Sequence, residues 1–81
     1  MGPADTAITL DQLRNGVRAT VTGIAEDDED AVRKILSLGI VPGDEILVLA
    51  TWPAIVFELG STSYALDVEL ARRIRAIPTT N

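Results

Sequence analysis

The sequence predicts a small, mainly β domain: a closed or nearly closed barrel of about five short strands, with one helix inserted after the first strand and a short helical turn near the C-terminus. Three observations carry that expectation. Apolar and polar residues alternate with period two in several short runs. Glycine, proline and asparagine punctuate the chain between those runs, and one stretch that opens in acidic residues carries helical periodicity instead. Short strands with open edges invite pairing with other chains, so a sheet that curls on itself is the simplest arrangement.

The first local signal is Thr9-Leu10-Asp11-Gln12-Leu13, where Thr9 is placed to cap a single helical turn that packs Leu10 and Leu13, and Asn15-Gly16 ends it. Val17, Ala19 and Val21 then alternate with Arg18, Thr20 and Thr22, which predicts a strand from Val17 to Ile24. Next, the acidic run Glu26-Asp27-Asp28-Glu29-Asp30 sits where unpaired amides and the helix dipole favour negative charge. A helix over Asp28 to Leu38 follows, with Ala31, Val32, Ile35, Leu36 and Leu38 on its apolar face, and Glu29 with Arg33 and Asp30 with Lys34 as four-apart pairs.

Gly39 can take the left-handed conformation that closes a helix, and Pro42-Gly43 turns the chain before it can resume. Leu38 to Gly43 is therefore read as a structural corner, with Gly39, Pro42 and Gly43 setting the backbone and Leu38 and Ile40 packing beneath. Ile46, Val48 and Ala50 predict one strand face, and Ile55, Phe57 and Leu59 the matching face of the next, joined through Thr51-Trp52-Pro53-Ala54. Gly60-Ser61 makes a second tight turn before a strand from Thr62 to Leu66. Asp67 caps a short helical turn carrying Leu70 and Ala71, and Ile74, Ala76 and Ile77 close the fold in a last strand that stops at Pro78. Residues 1–7 are expected to be a flexible start, 8–77 the domain and 78–81 a loose end. Gly2-Pro3-Ala4 reads as a disordered start or an added leader.

Composition narrows the function. At 81 residues one modest core is available, and with 47% hydrophobic residues but Trp52, Phe57 and Tyr64 as the aromatic side chains, that core is aliphatic. No apolar run is long enough to cross a membrane as a helix, and no basic-then-apolar leader opens the chain, so the expected location is cytoplasmic, without direct membrane insertion. With no cysteine and no histidine, thiolate chemistry, the usual transition-metal ligands and the usual general base near neutral pH are missing. No cofactor is expected, and no nucleophile with a paired base is visible. A net charge of −5 repels phosphate backbones, which argues against a nucleic-acid partner.

The ordered features Leu10-x-x-Leu13-x-x-Gly16, then Val17 to Gly23, then Arg33-x-x-Leu36-x-Leu38-Gly39-x-x-Pro42-Gly43, together with Tyr64-Ala65-Leu66 and Glu69-x-Ala71-x-x-Ile74, resemble the FeoA family. The resemblance runs from about Ile8 to Ile77. It implies an SH3-like barrel that serves bacterial ferrous iron uptake as a small accessory to the cytoplasmic part of the membrane transporter FeoB, without catalysis. An alternative function for such a barrel is RNA or ribosome association, or a protein contact unrelated to iron.

Several residues are candidate contacts. Leu47, Leu49 and Val56 lie on the face of the hairpin opposite Ile46, Val48 and Phe57, so one face needs a second cover: either the inserted helix or a partner protein. Trp52, beside Pro53 at the tip, is the candidate exposed anchor. Arg72 and Arg73, with Arg75, form a basic end that either steers association with an acidic surface or is solvated helix-end charge. The acidic run Glu26 to Asp30 lacks the spacing of a calcium loop and reads as helix capping rather than a metal site. Weak self-association is left open.

Overall fold

A computed structural model describes residues 7–79 of the chain. The expected flexible start, including Gly2-Pro3-Ala4, and the last two residues of the expected loose end lie outside the described residues, Ala7 excepted. In order, the elements are β1 (Ile8–Thr9), a 3-10 turn (Leu10–Gln12), β2 (Arg18–Ile24), α1 (Glu29–Ser37), β3 (Glu45–Ala50), β4 (Ile55–Leu59), β5 (Thr62–Leu66), α2 (Val68–Ala71) and β6 (Ile74–Pro78).

All six strands join one antiparallel sheet in the order β1-β6-β2-β3-β4-β5. The mainly β fold with a helix inserted after β2 is as expected, but a two-residue strand adds itself before the 3-10 turn. Two residues carry no visible period, so β1 has no signature of its own; it exists because β6 offers Ala76 and Arg75 as partners to Ile8 and Thr9. Two register shifts bend the sheet, one in β2 between Val21 and Gly23 and one in β3 between Val48 and Ala50. An extra residue on one side of a ladder kinks the strand and raises its twist, which lets a sheet wrap around its own core. From the edge strand β5 the chain returns through α2, which packs against the 3-10 turn that follows β1.

Phe57, Ile46, Val48 and Ile55 line the inside of the β3–β4 hairpin, where Leu10, Val21, Ile35, Ile40 and Ile74 meet them, all essentially without solvent contact. Phe57 and Tyr64 face each other across β4 and β5 as stacked rings with centroids 5.4 Å apart. The helix buries less than its sequence promised. Ala31 and Ile35 reach the core, whereas Leu36 is 46% exposed and Val32 only half-buried. In nine residues a helix presents one narrow buried stripe, here the four-apart pair Ala31 and Ile35, and Val32 and Leu36 lie about 100° further round. Arg33 pairs with Asp30 at 3.4 Å, three residues back, instead of with Glu29. At the C-terminal end, order continues past the expected boundary: Pro78 is the last residue of β6, and Thr79 donates its amide to Arg18 O at 2.9 Å.

Candidate functional site

The corner between α1 and β3 is fixed from several sides. Leu38 caps α1 in a helical conformation, and Gly39 follows at φ 89°, where a side chain is strained. Tyr64 reaches across from β5 and donates its hydroxyl to Leu38 O at 2.8 Å. Gly43, at φ 99°, donates to Val21 O at 2.7 Å, and Val21 donates back to Asp44 O at 2.8 Å, so the corner is pinned to β2. Asp44 closes the turn by accepting from the Val41 amide at 3.0 Å, while Ile40 is fully buried and Pro42 exposed. Leu38, Gly39, Pro42 and Gly43 thus occupy a braced turn; Leu38 is half-buried against the core.

The hairpin tip is built differently. The register shift in β3 makes Leu49 the extra residue, so Ala50 faces Val56 rather than sharing a face with Ile55. Leu49 is 42% exposed and Trp52 is 85% exposed, while Leu47 and Val56 are half-buried. Helix α1 buries Ile35 with Ile46, Val48 and Phe57 on the inner face of the hairpin, and Leu49 on the outer face stays exposed, so the helix is not the cover for this face. Leu47, Leu49, Val56 and Trp52 therefore form an apolar strip on the outside of the hairpin, ending in an indole that solvent surrounds.

Arg72 and Arg73 do not join that strip. Arg73 donates a hydrogen bond to Asp27 and lies 3.9 Å from Asp28, and its carbonyl accepts from the Ala25 amide at 2.8 Å. This clasp ties the turn after α2 to the entry of α1. The Arg73 hydrogen bond holds the Asp27 carboxyl below its ordinary value, against a smaller opposing effect of desolvation, and raises the arginine in turn. Arg72 sits 3.5 Å from Glu69 and 3.9 Å from Asp11. The acidic run and the basic end, distant in sequence, are thus partners. Asp28 also caps α1, accepting from the Asp30 and Ala31 amides at 3.0 and 3.2 Å. Among the described residues no group of three or more acidic side chains gathers as a metal site.

Sequence reasoning missed a cleft of about 530 Å³ between α1, β2 and the corner, lined by Gly23, Ile24, Val32, Leu36 and Pro42 together with the charged Glu26 and Arg75. The four-apart pair Val32 and Leu36 was its signal, hidden because both were assigned to the core.

The sequence matches the FeoA domain family over residues 8–78, nearly the whole chain. The chain belongs to the FeoA family. Among solved structures, the crystal structure of an iron uptake regulatory protein, FeoA, is 26% identical, with a TM-score of 0.81 over 91% of this chain and 99% of that one. FeoA of Stenotrophomonas maltophilia, solved with zinc and described as a prokaryotic SH3 domain protein, is 24% identical at a TM-score of 0.74 over 90% of each chain, a likeness of fold. The FeoA fold is accordingly SH3-like. A manganese-dependent transcriptional repressor matches at 26% identity and a TM-score of 0.85, covering 95% of this chain but 44% of its own. The FeoA fold therefore also occurs as part of larger proteins. No curated protein matches the sequence significantly.

Proposed function

We propose that this FeoA chain is a small cytoplasmic accessory protein of ferrous iron uptake that docks on the cytoplasmic part of the membrane transporter FeoB and modulates it, with no chemistry of its own. The observation that carries this reading is the family match over residues 8–78, together with a FeoA neighbour that aligns along almost the entire length of both chains. Binding is favoured over catalysis because a chain without histidine or cysteine lacks the groups that most often serve as base or nucleophile near neutral pH. The exposed indole of Trp52 supplies the kind of aromatic anchor that dominates protein interfaces, and the bulged, exposed Leu49 adds apolar surface on the same hairpin.

The test is a titration of the purified chain against the cytoplasmic part of FeoB. Saturable binding that is lost in Trp52→Ala or Leu49→Ser, with the circular dichroism spectrum retained, supports the reading. No binding at high micromolar concentration, with nucleotide hydrolysis by FeoB unaltered, counts decisively against it.

A further inference from the structure

The two edges of the sheet are protected unequally. β1 is two residues long, too short to template another strand. β5 runs for five residues, Thr62-Ser63-Tyr64-Ala65-Leu66, pairs with β4 without any register shift, and carries neither charge nor proline. These are the devices by which natural sheets guard an edge, and β5 has none of them.

The turn before β5 decides which backbone groups stay free. Leu59 and Thr62 flank the two-residue Gly60-Ser61 turn, in which Gly60 alone has positive φ, at 64°, the pattern of a type II′ hairpin. Such a turn makes Leu59 and Thr62 a hydrogen-bonded pair, and the pattern alternates along the strand. Thr62, Tyr64 and Leu66 then direct their amides and carbonyls to β4. Ser63 and Ala65 direct theirs outward, and neither has another backbone partner among the described residues.

Side chains beside that edge specify what fits. On the outer face Ser63 is opposite Glu58 and Ala65 is opposite Val56. Ser63 and Ala65 are small and exposed, so long side chains on an added strand can lie across them onto the second strand in. Glu58 is half-buried and has no ion pair among the described residues, within a molecule of net charge −5. An antiparallel strand would place one residue opposite Ala65, able to cover Val56, and a residue two positions later opposite Ser63, able to reach Glu58.

We propose that the free edge of β5 is a docking site for an extended segment of a partner protein in which an aliphatic residue is followed two positions later by a basic one. The mode is strand addition: backbone bonds to Ser63 and Ala65 give affinity, and Val56 with Glu58 give register. The proposal concerns the surface and the chemistry of its ligand, so it stands or falls separately from docking on FeoB. The probe is a blocked heptapeptide of threonine with isoleucine third and arginine fifth, titrated to about 1 mM against the isotope-labelled full chain.

Amide shifts centred on Ser63 to Ala65 are expected. N-methylation of the peptide at isoleucine or arginine, whose amides would face β5, should abolish them, and N-methylation at the intervening threonine should not. Replacing the arginine by glutamate should weaken binding at least tenfold, and Glu58→Lys should restore it. The proposal is overturned by no shifts at that concentration, by shifts centred on Trp52 or Leu36, or by indifference to the position of the N-methyl group. Concentration-dependent shifts of β5 without peptide would overturn it too, since a second copy would then hold the edge.

Discussion

Two turns of this molecule look alike in sequence and behave as opposites. The corner Leu38 to Gly43 and the hairpin tip Thr51 to Ala54 both combine apolar residues with a proline. In the corner, Ile40 is fully buried, Tyr64 holds Leu38 O and Val21 exchanges two backbone hydrogen bonds with Gly43 and Asp44. At the tip, Trp52 stands in solvent. A turn that joins a helix to a sheet must satisfy the orphan carbonyls of the helix end, so it is tied down wherever it docks. A turn that joins two paired strands has its strands to hold it and leaves its side chains to other uses.

The difference can be broken from the corner side first. Ile40→Ala should cost about 2–5 kcal/mol in urea unfolding, because a fully buried side chain is lost and leaves a cavity in the core. Gly39→Ala should cost about 1–2 kcal/mol from backbone strain alone, since the nearest atom to the added carbon is Tyr64 Oη at 3.8 Å, an ordinary contact. Tyr64→Phe removes the bond to Leu38 O and should cost about 1 kcal/mol while leaving the ring stack in place.

A smaller effect is expected at the Arg73 clasp, and it is best read through pH. Asp27 is held below its ordinary value by the hydrogen bond from Arg73. A carboxyl whose pKa is depressed by folding stabilises the folded state above its unfolded pKa and loses that contribution as pH falls through the folded one. The wild-type unfolding midpoint should therefore drop below about pH 4 more steeply than that of Arg73→Gln. Smallest of all, Trp52→Ala should change stability by no more than about 0.5 kcal/mol, because little native packing is lost. A large loss there would erase the contrast between the two turns.

The corner was legible because its requirements are local: a helix end, a residue able to take positive φ, and a proline that forbids resumption. Strands β2 to β6 were legible from alternation and punctuation. The apolar face of α1 was read too wide, since periodicity marks every apolar residue near the stripe and cannot say how much of the helix the sheet will cover. The tip residues Leu49 and Trp52 were legible as candidates because an apolar residue on the wrong face needs an explanation. Arg72 and Arg73 were legible as charges but not as partners of Asp11, Asp27 and Asp28, which join them only when α2 folds back beside the 3-10 turn and the entry to α1.

By itself, the sequence determined the class of fold, the place of the inserted helix and the turn at Leu38 to Gly43, because spacing and backbone preference act over a few residues. Tertiary structure decided which edge of the sheet is left open, that Leu49 is the bulged residue and that Glu58 lies beside Ser63 without an ion pair. Those outcomes depend on register and on which strands neighbour one another, and both are settled by contacts between residues far apart in the chain.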